Sequence, residues 1–96
     1  MKKFQVTISF SMDDEFMSAI PAHRRIIDRL IEDGVLDHYV VSMQSMRSWM
    51  TITAPTLQDV EGYLAESPLH RYWEYEIDEI FVLDGAHYRL PILRYN

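Results

Sequence analysis

The chain has no cysteine, and only three glycines and four prolines stand among its 96 residues. The lack of cysteine excludes disulfide bonds, thiolate metal ligands and cysteine nucleophiles. With so little glycine and proline, and with 48% hydrophobic residues, the composition is that of one folded domain and not of a disordered chain. A chain of this length buries only about 60–65% of its unfolded surface. We therefore expect a homodimer or a higher homo-oligomer that enlarges the core.

Basic residues are also in the minority, with nine Lys and Arg against fifteen Asp and Glu, which gives a net charge of -6. Because this charge repels phosphates and the basic residues are scattered, we expect no nucleic acid and no membrane as a partner. No stretch approaches the roughly 20 apolar residues that span a bilayer, and the first residues alternate where a signal peptide would be continuously apolar. The expected location is the cytoplasm.

Apolar and polar residues alternate from Phe4 to Phe10, which predicts a first strand. A helix is predicted from Ser18 or Ala19 to Asp33, with Pro21 in its first turn and Gly34 as its C-terminal stop. At 100° per residue, one inward stripe of this helix collects Ile20, His23, Ile27, Leu30 and Ile31. His23 thus falls among residues that should be buried.

The rest of the chain predicts a hairpin, a second helix and a last strand. The hairpin joins strands at Leu36–Met43 and Ser48–Ala54. Thr56 and Asp59 have capping-box spacing, so a helix should start there, bury Leu57, Val60 and Leu64, and end at Ser67-Pro68. The last strand should run over 73–83, with a β-bulge near Asp78-Glu79 where its apolar positions shift by one.

The resulting order β-α-β-β-α-β predicts a ferredoxin-like α+β domain over residues 1–83. Right-handed crossovers then give an antiparallel sheet of order 4-1-3-2 with both helices on one face. The opposite face would carry Gln5, Thr7, Ser9, Trp49, Thr51, Thr53, Glu74 and Glu76. Two such faces could pack together as a dimeric α+β barrel. The apolar tail, residues 84–96, should dock on its own domain or on a partner subunit.

Two histidines are candidates for chemistry. His23 on the inward stripe would be desolvated and could act as a general acid or base, although a core histidine bonded to a backbone carbonyl or a water would fit the same pattern. His38 lies beside the predicted C-terminal end of the first helix, which would favour its protonated form, but it could equally be an exposed residue of an edge strand.

Acidic residues recur at Glu74, Glu76 and Asp78, on one side of the last strand. Such carboxylates can share a proton or hold a hard cation, but a charged outer face is also how edge strands avoid aggregation. No histidine pair has metal-ligand spacing, and no glycine-rich phosphate loop occurs. These observations predict no metal site and no phosphate-cradling loop.

The run from Pro68 to Ile77, Pro-Leu-His-Arg-Tyr-Trp-Glu-Tyr-Glu-Ile, resembles the muconolactone isomerase family, in which a similar Pro-Leu-x-x-Tyr-x-acid-x-Glu-aliphatic run occurs. The stretch from Leu30 to Gly34, and His38, add to the resemblance, which covers about residues 4–83. Pro21-Ala22-His23, followed by Leu30 and Gly34, is similar to the first helix of YCII-related proteins, where a histidine is a suspected active-site group.

The first resemblance implies a cofactor-independent isomerase or lyase that moves a proton on a small organic acid or lactone. His23 would be catalytic, and the substrate-binding residues would be His38, Tyr72, Trp49 and Glu74. The chain differs from the isomerases at His23, where they carry a carboxylate, and at Met46 and Ser48, where they have a tyrosine and an asparagine. The alternative is a non-catalytic module that binds a small ligand or serves oligomeric assembly.

Overall fold

The computed structural model describes residues 1–85, which form four strands, two α-helices and two short 3-10 turns. In chain order these are β1 (Lys2–Phe10), a 3-10 turn (Met17–Ala19), α1 (Ile20–Glu32), β2 (Leu36–Ser42), β3 (Arg47–Ala54), α2 (Leu57–Ala65), a second 3-10 turn (His70–Tyr72) and β4 (Trp73–Glu79). The predicted tail, apart from its first two residues, lies outside the described part of the chain. Neither α1 nor α2 has the length and apolar character needed to cross a membrane.

The four strands form one antiparallel sheet of order β2-β3-β1-β4. Read from the other edge, this is the order 4-1-3-2, and it is compatible with a ferredoxin-like arrangement. The central strand β1 pairs with β3 from Lys2 to Ser9 and with β4 from Phe4 to Phe10. Apolar and polar residues alternate strictly along β1, which suits a central strand of this sheet, because one of its faces packs on the core and the other forms a polar surface.

Both helices pack against the same face of the sheet. The buried residues of one core cluster come from three strands and both helices: Phe4, Val6 and Ile8 of β1, Leu36 of β2, Met50, Ile52 and Ala54 of β3, Ile27 and Leu30 of α1, and Val60 and Leu64 of α2. Two predictions of burial were wrong. Ile31 is 49% exposed and Leu57 is 42% exposed, because each lies at the margin of its helix's apolar stripe, where the sheet does not reach.

The predicted Gly34 stop of α1 and the predicted Thr56 start of α2 were correct, whereas α2 ends at Ala65 and not at Ser67-Pro68. Gly34 has a φ of 76°, and it ends α1 in a Schellman motif, since the Gly34 amide donates to the Ile31 carbonyl and the Val35 amide donates to the Leu30 carbonyl. At the start of α2, the Thr56 hydroxyl oxygen accepts the Asp59 amide at 3.2 Å. These motifs satisfy polar groups that helix ends otherwise leave unpaired.

The predicted bulge at Asp78-Glu79 was wrong. β4 pairs with β1 without a register shift and ends at Glu79, so the apolar residues that follow belong to the segment after the strand. The bulge lies instead in β2, between Leu36 and His38. There Asp37 accepts a hydrogen bond from Lys3 Nζ at 2.7 Å and one from the Thr53 hydroxyl at 3.0 Å, so the extra residue is held by a partly buried ion pair.

Candidate active site

His23 lies in the second turn of α1 and is only 1% exposed. The helix stripe that contains Ile27 and Leu30 turns the imidazole toward the sheet. Trp73 of β4 meets the imidazole edge-on, with ring centroids 6.0 Å apart, and Tyr39 of β2 meets it in the same way at 5.5 Å. The prediction that the first helix directs a histidine inward is therefore correct.

Both ring nitrogens of His23 have hydrogen-bond partners. Nδ1 is 2.7 Å from the hydroxyl oxygen of Ser67, and Nε2 is 2.7 Å from the hydroxyl oxygen of Tyr39. The Ser67 oxygen also accepts the Leu69 amide at 3.0 Å. A continuous chain of hydrogen bonds thus runs from a backbone amide through Ser67 and His23 to the phenol of Tyr39, and we call it the Ser67–His23–Tyr39 chain. The partners are side chains, where a backbone carbonyl or water was the expected alternative.

Burial determines the protonation states of His23 and Tyr39. Desolvation, with a smaller contribution from the nearby Arg24 cation, lowers the pKa of His23 from 6.5 to about 4. Desolvation also raises the pKa of the Tyr39 phenol, against smaller opposing effects of Arg24 and Ser48. At neutral pH, both side chains are therefore uncharged, and the pair can pass a proton without first losing or gaining one from solvent.

A pocket of about 320 Å³ lies beside this pair, between α1 and the β2–β3 hairpin. His23, Arg24, Tyr39 and Ser48 contribute its polar groups. Its apolar wall includes Phe10, Phe16, Ile20, Val41, Met43 and Leu69. Val41 and Met43 are exposed, so the pocket opens to solvent on their side. An apolar cavity of this size with a few convergent polar groups is the usual form of a small-molecule site.

Ser48 is the residue in this pocket whose polar group is not satisfied. Its side chain is 3% exposed, and Ser48 Oγ has no hydrogen-bond partner among the described residues. Ser48 lowers the pKa of the Tyr39 phenol as a hydrogen-bonding neighbour would, but no contact of Ser48 Oγ with a described residue has the distance and angles of an ordinary hydrogen bond. Buried hydroxyl groups are rarely left unpaired, because desolvation without a partner costs about 1–3 kcal/mol.

Three of the predicted substrate-binding residues lie away from His23. The strand register pairs His38 with Thr51, Trp49 with Thr7 and Glu74 with Ser9. These rows lie on the sheet face opposite the helices, here called the open face, whereas His23 lies on the helix side. His38 is exposed there. The structure thus does not bring these side chains together with His23.

Tyr72, the fourth predicted substrate-binding residue, belongs to a separate network. Its hydroxyl donates to Asp13 at 2.7 Å and accepts from Arg71 at 2.6 Å. The hydrogen bond with Tyr72 lowers the pKa of Asp13 and raises that of Tyr72. Tyr72 and Glu74 line a polar pocket of about 400 Å³ at the end of β1, so these two share a surface, but not the one that contains the histidine.

Among residues 1–85, no three His, Asp or Glu side chains converge as metal ligands. No model of a known protein family matches the chain, and no curated protein matches it. The resemblance to the muconolactone isomerases therefore has no support from these comparisons, and it stays a prediction.

Sequence reasoning missed Tyr39, Ser48 and Ser67. Tyr39 follows the β2 bulge, which changes the face on which each later residue of the strand lies. Ser67 is 44 residues from His23 in the chain and was interpreted only as a helix end. The one signal in the sequence for Ser67 was its place between the apolar second helix and Leu69, which indicates that this serine is buried.

Proposed function

We propose that the protein is a cofactor-independent enzyme of the isomerase or lyase kind that moves a proton on a small organic acid or lactone. The observation that carries the proposal is the Ser67–His23–Tyr39 chain, which ends in a phenol at an apolar pocket open to solvent. The substrate class comes from the resemblance to the muconolactone isomerases. Arg24, at the same pocket, supplies a cation for a substrate carboxylate.

Two arrangements of hydrogens satisfy the chain. In the first, His23 Nδ1–H donates to Ser67 and Tyr39 donates its hydrogen to Nε2, so the phenol oxygen can accept a proton from a substrate. In the second, Ser67 donates to Nδ1 and Nε2–H donates to Tyr39, so the phenol hydrogen points into the pocket. The same side chains thus serve as base in one arrangement and as acid in the other.

A proton shift between two carbons follows from the first arrangement. Tyr39 takes a proton from a carbon next to the substrate carbonyl while its own hydrogen passes to His23 Nε2, which leaves an enolate and an imidazolium. The imidazolium returns its proton to Tyr39 as Tyr39 delivers one to another carbon of the enolate, and the pair is neutral again. Because the pKa of His23 is about 4, the imidazolium is a strong acid, so the return of its proton is favourable and its formation in the first step is correspondingly costly.

A non-catalytic ligand-binding module is the second candidate. It is favoured because both His23 nitrogens are already hydrogen-bonded and the side chain is 1% exposed, so neither nitrogen is available to bond a ligand. In that case Tyr39 would only bind the ligand, and its proton would not be exchanged.

Deuterium incorporation distinguishes the two candidates. A panel of small enol acids, keto acids and lactones is incubated with the protein in D₂O, and C–H signals are followed by proton NMR. The wild-type protein should speed exchange at a carbon next to the carbonyl, and Tyr39→Phe should reduce that rate by about 100-fold or more. Tyr75→Phe is the matched control, because Tyr75 also lies beside a histidine, His70, but outside this pocket.

Two results would contradict the enzyme proposal. If ligands of the panel bind the wild-type protein and none exchanges faster than in buffer, the module is correct. If Tyr39→Phe and Tyr75→Phe exchange as fast as the wild type, then the hydrogen-bond chain has no part in the chemistry.

We propose further that two copies pair through their open faces as a dimeric α+β barrel. The chain is too short to bury much surface alone, and the open face carries Trp49 and the 53% exposed Val40 among its polar residues. The polar residues would leave a hydrated interface. The molar mass in solution tests this pairing.

A further inference from the structure

The unpaired hydroxyl of Ser48 points to a ligand oxygen inside the pocket. Ser48 Oγ is buried, lines the pocket and has no partner among residues 1–85. Because a buried hydroxyl without a partner is costly, a ligand that brings an oxygen to this position recovers the lost hydrogen bond. A pure hydrocarbon chain in the same place would leave the cost unrecovered.

The neighbouring groups limit the rest of the ligand. Most of the wall is apolar, including Phe16, Ile20 and Leu69, and it cannot satisfy the many hydroxyl groups of a sugar. Arg24 contributes a cation, and its guanidinium carbon lies 5.9 Å from the centre of the Tyr39 ring. Its carboxylate partner on α1, Asp28, is at 3.7 Å and both side chains are largely exposed, so the pairing is weak and Arg24 can turn to a ligand.

The volume limits the size. About 320 Å³ is near the lower end of the roughly 300–1,000 Å³ that small-molecule pockets have, so the part of a ligand that this pocket encloses is small. A single six-membered ring with one carboxylate and one further oxygen has this size. A nucleotide or a coenzyme is too large to be enclosed.

We infer that the pocket selects a small oxo or hydroxy carboxylic acid, with its carboxylate at Arg24, its apolar body against the aromatic and aliphatic wall, and its second oxygen at Ser48. This inference rests on the proposed function only in taking this pocket as the substrate site. It makes Ser48 a specificity residue and assigns the proton transfer to Tyr39 and His23, as before.

Three probes separate the two polar contacts. They are 4-oxocyclohexanecarboxylate, cyclohexanecarboxylate, which lacks the ketone oxygen, and the methyl ester of the oxo acid, which lacks the charge. Binding is measured by NMR titration of the full chain. The wild-type protein should bind the oxo acid about 3- to 10-fold more tightly than cyclohexanecarboxylate, which is the usual value of one neutral hydrogen bond.

The variants then assign each preference to one residue. Ser48→Ala should bind the oxo acid and cyclohexanecarboxylate equally, and Arg24→Gln should bind the oxo acid and its ester equally. Ser45→Ala removes a hydroxyl from the exposed β2–β3 turn and should keep both preferences. An amide spectrum of each variant confirms that it is folded, and Ser48→Gly is a second variant at the same position.

The inference is overturned if no probe binds the wild-type protein, if the ketone gives no preference, or if Ser48→Ala keeps that preference. These outcomes differ from failure of the enzyme proposal, because binding needs no turnover. If the oxo acid shows both predicted preferences but no deuterium exchange, then the ligand class stands and the catalytic proposal falls.

Discussion

Acidification from pH 7 to pH 5 should destabilise this protein through His23. In the unfolded chain its pKa is 6.5, whereas burial and the Arg24 cation lower it to about 4 in the folded state. Between these two values the unfolded state binds more protons than the folded state, so stability rises with pH. The contribution is fully present above pH 6.5 and is lost progressively as the pH falls toward about 4.

The magnitude follows from the two pKa values. Each unit of pKa shift corresponds to about 1.4 kcal/mol, so the complete effect is about 3 kcal/mol. Integration of the linkage relation from pH 7 to pH 5 gives a loss of about 2 kcal/mol. Because His23 is 1% exposed, solvent screens this effect little. For a domain whose stability is typically about 5–15 kcal/mol, this loss is easily measured.

Urea unfolding at the two pH values, followed by tryptophan fluorescence at one protein concentration, measures this loss. Comparison with His23→Gln removes the carboxylate effects that both proteins share, so the wild type should lose about 2 kcal/mol more than the variant. His38→Gln, which removes an exposed histidine, should behave as the wild type. Equal losses in the wild type and His23→Gln would refute the buried, neutral imidazole.

Two further predictions concern assembly and backbone conformation. If the open faces pair, Val40→Glu should raise the dissociation constant of the dimer by about tenfold or more in sedimentation equilibrium. Ile31→Glu, at a similarly exposed position on α1, should leave that constant unchanged. A wild-type protein that is a monomer would contradict the pairing. Gly34→Ala should lower the free energy of unfolding by about 1 kcal/mol, because Gly34 has a left-handed φ of 76°. Gly62→Ala in α2 should raise it by about 0.5–1 kcal/mol. Equal effects of the two substitutions on thermal unfolding would refute the left-handed conformation of Gly34.

Much of the fold could be predicted because local patterns and tertiary contacts agree in it. The alternation of β1 and the Gly34 stop of α1 were correct, since each reflects backbone geometry that neighbouring residues determine. The β2 bulge could not be predicted, because Asp37 is held by Lys3 and Thr53, which come from other strands. The shift of apolar positions near Glu79 was wrongly interpreted as a bulge, since a strand end gives the same pattern.

The candidate site shows the same limit more strongly. The helical stripe predicted that His23 faces inward, but its partners lie 16 and 44 residues away in the chain. His38 was named for its place beside the end of α1, and Tyr39 was given no role, because without the bulge the residues of β2 cannot be assigned to their faces. The resemblance then favoured Trp49 and Glu74, which the register places on the open face.

Methionine methyl groups give the most direct test that the pocket beside Tyr39 binds a small acid. Met17 and Met43 line this pocket, whereas Met12 is exposed and is not part of its wall. When 4-oxocyclohexanecarboxylate is added to protein labelled with ¹³C at these methyl groups, the Met17 and Met43 signals should shift and saturate together, with Met12 unchanged. Signals of Met17 and Met43 that stay fixed, or that move no more than Met12, would contradict the site.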